Sequence, residues 1–274
     1  MLDRQFVNYF FSASKSSAWL ILFTLVTVQS TALDVKAQEY VRIDSDRFKD
    51  WAWQDAEAWI KGWDGERVAY VAGATAVLVG LSFTDQAISD QAIDWGSGTF
   101  GGFLDATNEI GGPYGFLIPT SVFALSFASD DTKFQDAAFT SLQSYVYSNT
   151  LVFLTKIVVG RSRPDAGKGP HDFNPFSGAA SFPSGHTSSV FAMIMPWVFY
   201  YPGPVTYALV AVAAGTAIAR IQRQRHWFTD VLAGAAISTA MSHFLYKRHR
   251  NAQDPSVGIM PTGSGLSMRF SIGL

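Results

Sequence analysis

"SFPSGHTSSVFAMIMPWVFY", residues 181–200, joins a Pro-Ser-Gly-His turn directly to an apolar run. Pro183 and Gly185 punctuate the chain, and the residues after them read as a helix over 185–200. A helix that begins at a turn aims free backbone N–H groups, and the positive end of its dipole, at whatever occupies that turn. The arrangement suits an anion. Two things then need to be read from the flanking sequence: what packs around this helix, and which anion its start could hold.

On the C-terminal side, "YPGP" (201–204) is a tight break, and helices are expected over 204–222 and 228–247. On the N-terminal side a Gly- and Pro-rich loop (160–183) follows a helix over 135–159, which Gln143, Ser144, Ser148 and Asn149 make amphipathic. Further back, 68–83 and 112–128 read as apolar helices, the second with Pro119 as a possible kink point. Residues 84–111 between them, acidic, Gly-rich and without Lys or Arg, read as a connector. The expected fold is all-α: a helical bundle of about six core helices spanning 66–250. In the tail, 251–274, Leu266, Met268, Phe270, Ile272 and Leu274 alternate with polar residues, which is strand periodicity and predicts a short C-terminal β-hairpin.

The front of the chain reads differently. Arg4 and Lys15 precede the apolar stretch 18–28, so residues 1–37 are expected to be a signal peptide or an N-terminal anchor. Residues 38–65 carry Trp51, Trp53, Trp59 and Trp63 and read as an amphipathic segment, its tryptophans either on a surface or capping a core. Charged residues are only 15% of the 274, against the usual quarter, and the net charge of −2 gives no field for nucleic acid. Cysteine is absent, which excludes disulfides, thiolate catalysis and Cys-based metal sites.

Because cations are scarce, their placement is informative. Lys156, Arg161 and Arg163 fall where the 135–159 helix runs into the loop; Ser184, Gly185 and His186 fall at the quoted turn. Arg220, His226 and Asp230 fall between the last two helices. If the helices alternate up and down, all three clusters reach one end of the bundle. Lys156, Arg163 and Arg220 would then grip oxyanion oxygens, aided by the Ser184 hydroxyl and the Gly185 N–H. His226 and Asp230, at i and i+4, would share a helix face, so that the carboxylate orients the imidazole as in nucleophilic catalysis. His186 is left to act as an acid.

These residues bear a family resemblance. Lys156…Arg163-Pro164, Pro183-Ser184-Gly185-His186 and Arg220…His226…Asp230 stand at the spacings of the type 2 phosphatidic acid phosphatase and vanadium haloperoxidase superfamily, which the chain resembles over roughly 66–247. One departure is Ala219, where that family usually has Ser before the arginine. The resemblance implies that His226 attacks phosphorus and Asp230 holds its ring. It implies that His186 protonates the leaving oxygen and then activates water, while Lys156, Arg163, Ser184, Gly185 and Arg220 bind the phosphate. No carboxylate cluster suited to a two-metal site stands beside these residues, so no metal or other cofactor is expected.

The implied substrate is a phosphorylated lipid or small phosphoester, with a membrane as the expected partner and no nucleic acid. The leading expectation is hydrolysis of a lipid phosphate or isoprenoid pyrophosphate by an exported, membrane-associated protein whose pocket faces the periplasm or exterior. A soluble periplasmic acid phosphatase and a non-catalytic phosphate-lipid binder are the alternatives; a haloperoxidase is disfavoured by the chain's length. The apolar stretches, near 14–18 residues, are short against the ~20 needed to span a bilayer. His243 and His249 read as structural, and His171 in the loop is open to a substrate contact. Arg161, Arg223 and Arg225 read first as solvated surface cations and second as an extension of the pocket's field.

Overall fold

The structure, a computed structural model, describes residues 46–253, 256–262 and 265–271, with side chains up to Arg250. The expected signal peptide or anchor over 1–37 lies outside the described residues, as does the start of the 38–65 segment. Among the described residues the chain forms nine α-helices. They are α1 (Arg47–Lys61), α2 (Gly65–Ser82), α3 (Asp85–Ala92), α4 (Gly98–Ile110), α5 (Leu117–Ser126), α6 (Thr132–Val159), α7 (Gly185–Tyr200), α8 (Pro204–Gln222) and α9 (Phe228–Gln253). Beyond α9 the backbone of Ser256–Thr262 pairs antiparallel with that of Gly265–Ser271, from Ser256 opposite Ser271 to Thr262 opposite Gly265. The all-α class rests on the helices alone.

Helix α7 is the axle, packed against α6, α8 and α9, while α4 lies on α8 and α5 on α6. Its inward residues Val190, Met193, Ile194, Trp197 and Tyr200 meet Phe134, Ala137 and Ala138 of α6 and Leu209 and Ala213 of α8 in one core. Start signals are local: Asp64 accepts the Arg67 N–H at the head of α2, and Asp131 accepts the Phe134 N–H at the head of α6. Pro119 produces no kink, because α5 begins at Leu117 and a proline in the first turn removes no helical hydrogen bond.

Residues 84–111 are not a connector. They form α3, a 3-10 turn (Ile93–Gly96) and α4, burying Ala92, Leu104 and Ile110. Glycine weakens a helix by about 1 kcal/mol per residue, and packing on α8 outweighs it here: Thr216 of α8 donates to the Thr107 carbonyl of α4 at 2.7 Å.

At the end where α6 begins and α9 finishes, a buried polar cluster fastens α1 to the bundle. Arg47 pairs with Asp136 at 2.9 Å, and Asp55 accepts from Gln143 at 3.0 Å and faces His249 Nε2 at 2.8 Å. His249 Nδ1 lies 2.7 Å from Thr140 Oγ1, and the ring stacks on Trp51 at 4.1 Å. The tryptophans of this segment divide accordingly, Trp51 being 8% exposed and Trp53 78%. His249 is structural, as expected, and His243 packs edge-on against Phe199.

The other end of α6 is closed by Gly160 in the left-handed conformation, φ 57°, with its N–H bonded to the Lys156 carbonyl. A Cβ there would stand 1.9 Å from the Asn174 carbonyl oxygen. Gly160→Ala is therefore expected to destabilise the protein by at least ~2 kcal/mol, measured as thermal unfolding in detergent. An unchanged midpoint would contradict this account of the turn.

Candidate active site

Past Gly160 the loop folds back on itself. Ser162 N–H bonds to the Asp172 carbonyl, Asn174 N–H to the Gly160 carbonyl, and Ser181 N–H to the Arg161 carbonyl at 3.0 Å. This returns the chain beside the end of α6, where α7 starts. Ser184 caps α7, its oxygen 3.0 Å from the Thr187 hydroxyl that donates to it. Its own N–H bonds to the Asp230 carbonyl at 2.9 Å, joining the starts of α7 and α9. The contact is close enough that a Cβ on Gly234 would lie 2.6 Å from the Ser184 carbonyl oxygen.

The turn between α8 and α9 is equally constrained. Gln224 adopts φ 56°, and its side-chain amide exchanges hydrogen bonds with Ser89 of α3. Trp227 Nε1 donates to the Ser162 carbonyl at 2.8 Å. The ends of α6 and α8 and the starts of α7 and α9 thus meet at one end of the bundle, about 24 Å along α6 from Thr140 and the α1 cluster.

Lys156 runs over the first turn of α7, its Cε 3.8 Å from where a Gly185 Cβ would stand, and Nζ donates to the Ala180 carbonyl at 2.6 Å. Arg220, buried in the last turn of α8, donates from Nη1 to Asn108 Oδ1 at 3.1 Å, while its buried Nε has no partner among the described residues. Arg163 stands half-buried at the start of the 3-10 turn Pro164–Ala166. His186 faces these groups: burial, then the charges of Arg220, His226, Lys156 and Arg163, hold its imidazole down to about 3. The cluster is cationic, and it favours an anion.

His226 is buried in the α8–α9 turn, with Nδ1 2.7 Å from the Ser181 carbonyl oxygen. A carbonyl only accepts, so Nδ1 carries the proton and Nε2 keeps a lone pair. Burial pushes this ring down to about 4, against the Asp230 carboxylate, which raises it, and with Lys156 and Arg220, which lower it.

Asp230 stands beside the ring. Its Oδ2 is 3.6 Å from His226 Nδ1, too far for a hydrogen bond, and acts as a nearby charge. The reason is that His226 precedes α9, so the i,i+4 helical relation does not apply. Asp230, third residue of α9, instead reaches back to the Trp227 N–H at 2.9 Å, as in a capping box, and accepts from Ser181 Oγ.

All eight predicted residues, Lys156, Arg163, Ser184, Gly185, His186, Arg220, His226 and Asp230, come to this one end. Reading Arg161 as a surface cation was wrong: it is 2% exposed and pairs with Asp230 and Asp85, each at 2.7 Å. Arg223 and Arg225 fit the solvated reading, paired at the rim with Asp105 and Asp165. His171 is exposed and bonds Ser82 at the end of α2. The sequence reading missed Ser181, Asn108 and Asp85. Ser181 opens the quoted stretch, whereas nothing local marks Asn108 or Asp85. Among the described residues no three His, Cys, Asp or Glu side chains are grouped to hold a metal ion.

Residues 137–254 match the model of the PAP2 superfamily. Over 96 residues the chain is 38% identical to lipid A 1-phosphatase of Rhizobium etli, covering 33% of this chain and 41% of that protein. Over 94 residues it is 36% identical to lipid A 1-phosphatase of Porphyromonas gingivalis, covering 33% of this chain and 19% of that one. The chain thus spans about two fifths of the rhizobial relative's length and less of the other's. The crystal structure of a transmembrane PAP2 type phosphatidylglycerolphosphate phosphatase from Bacillus subtilis superposes with a TM-score of 0.54. That match covers 68% of this chain and 96% of that one at 20% identity, a likeness of fold. All three clusters lie inside the segment that matches the PAP2 superfamily model, at one end of the helical bundle.

Proposed function

We propose that the protein is a metal-independent phosphatase hydrolysing a lipid phosphate or isoprenoid pyrophosphate through a phosphohistidine. The observation that carries this reading is the His226 ring, locked with Nδ1–H on the Ser181 carbonyl, among Lys156, Arg163, Arg220 and His186. Nε2 attacks phosphorus and a P–N bond forms as the bond to the leaving oxygen breaks. His186 gives that oxygen its proton. His186 then takes a proton from water, whose oxygen attacks the phosphohistidine and releases phosphate and neutral His226. Lys156, Arg163, Arg220, the Ser184 hydroxyl and the Gly185 N–H bind the equatorial oxygens, where charge spreads in the transition state.

A lipid substrate draws support from the surface. Helix α8 is long and apolar enough to cross a membrane, and so are α2 and α3 taken together with the turn after α3, bent by 58°. Across its eighteen residues α2 buries only Ser82, leaving Val68, Tyr70, Val71, Val77 and Val79 exposed, more apolar surface than a helix bears in water. The site end faces the periplasm or exterior in this reading.

The test is phosphate release by purified protein in detergent from lipid A 1-phosphate, phosphatidate, phosphatidylglycerolphosphate and undecaprenyl pyrophosphate, beside a soluble aryl phosphate. Turnover of at least one lipid well above the soluble ester is expected. Release from none of the five would overturn the reading, and a preference for the soluble ester would remove its lipid part.

A further inference from the structure

We infer that Arg161, braced by Asp85, is a positioning residue that anchors Asp230 and thereby keeps the His226 ring on the Ser181 carbonyl. The inference rests on the reading of His226 as the nucleophile. Every nitrogen of the Arg161 side chain is used: Nε donates to the Pro170 carbonyl at 2.8 Å, Nη1 to Thr229 Oγ1 at 2.9 Å and Asp230 Oδ1 at 2.7 Å, and Nη2 to Asp85 Oδ2 at 2.7 Å. Asp85 also accepts from the Thr229 N–H and hydroxyl, at 2.9 and 2.6 Å. Both carboxylates are fully buried, so the guanidinium bridges α3, the loop after α6 and the first turn of α9 without solvent.

A buried ion triad contributes little to stability compared with apolar residues of the same volume. Its effect here is directional. With Oδ1 held by Arg161, and Oδ2 by Trp227 N–H and Ser181 Oγ, Asp230 is fixed with Oδ2 3.6 Å from His226 Nδ1. The ring proton stays on the Ser181 carbonyl, and Nε2 keeps one heading. Without Arg161 the carboxylate can turn from its place beside Nδ1, which frees the ring to rotate and misdirects its attacking nitrogen. Misplacement of a nucleophile by about 1 Å is enough for a roughly 100-fold loss.

The charge consequence has a definite sign. The groups facing His226 and Asp230 are Lys156 of α6, Arg163 and Arg161 of the loop, His186 of α7 and Arg220 of α8, with Asp85 of α3 beyond Arg161. Arg161 stands between the two carboxylates. Removing it together with Asp85 leaves Asp230 unshared beside His226, which favours the imidazolium and moves the acid limb of kcat/KM to higher pH.

The test compares R161Q/D85N and Arg161→Lys with the parent, using p-nitrophenyl phosphate and phosphatidate in mixed micelles. For R161Q/D85N, kcat is expected to fall at least tenfold with KM within about twofold, and the acid limb to rise. Arg161→Lys keeps the charge but lacks the fork, so kcat is expected to fall about tenfold with the limb in place. Parental kcat in either variant, or a loss in R161Q/D85N with an unmoved limb, overturns the inference. If R161Q/D85N does not fold, Arg161→Lys decides alone by kcat at unchanged KM. His226→Ala run in parallel separates the two levels: activity there defeats the reading of the site, whereas an inactive His226→Ala beside parental Arg161 variants defeats only the anchor.

Discussion

His226→Ala is expected to abolish turnover, lowering phosphate release by at least ~10⁴-fold and eliminating any trapped phosphoenzyme. This imidazole combines burial, a fixed Nδ1–H and a carboxylate charge 3.6 Å away, with Lys156, Arg220 and His186 around it. Neutral over the working range, since burial and the cations beside it hold the ring down to about 4, Nε2 is available for attack at neutral pH. The surrounding cations would survive the substitution and still bind phosphate, so affinity for inorganic phosphate is expected to change little. Rapid-quench labelling with a radioactive phosphate donor, with acid-labile and base-stable label in the parent alone, is the measurement. Activity within tenfold of the parent would sink the nucleophile assignment.

His186→Asn is expected to lower kcat by ~10²–10⁴, and to slow the first, phosphoryl-transfer step far more with alkoxide leaving groups than with aryl phosphates, whose leaving oxygen needs no proton and whose burst of phenol release therefore survives. Loss of the aryl burst to the same degree as the alkoxide reaction would assign His186 to binding. The same residue carries a pH signature. In the free protein, burial and the charges of Arg220, His226, Lys156 and Arg163 hold its ring down to about 3, so it is unprotonated at neutral pH. A bound phosphate dianion reverses the local field and favours the imidazolium. The proton is therefore taken up with the ligand, and the complex binds more protons than its separate parts. Calorimetry of inorganic phosphate binding in two buffers of different ionisation heat reads this directly. Uptake greater in the parent than in His186→Asn is the expected result; identical proton balance in both would remove His186 as the acid.

The two histidines were legible in the sequence for different reasons. His186 sits one residue past a Pro-Ser-Gly turn at a helix start, and helix starts are set by nearby residues: Ser184 caps α7 within three positions of itself. His226 was legible as one of a spaced set, yet the Ser181 carbonyl that takes its Nδ1 proton was not. An i,i+4 rule presumes that both residues are already helical, and α9 begins at Phe228. Arg161 was legible as a cation near the pocket and misread as solvated, because burial of a guanidinium depends on carboxylates that lie 69 and 76 positions away. Asp85 was hidden further by its setting, in a stretch whose acids and glycines resemble a linker until α8 packs on it.

What the sequence determined alone was periodic or local: the helices from α6 to α9, their caps and breaks, and the three clusters at helix ends whose alternation brings them together. These follow from interactions spanning a few residues, which a chain carries wherever it folds. Tertiary structure alone decided that Ser181 presents a carbonyl to His226, that Asn108 meets Arg220, and that Asp85, Arg161 and Asp230 form one buried chain. A hydrogen bond is made or lost over a few tenths of an ångström, so such partners are selected by the packing of distant helices and leave no spacing in the sequence to be read.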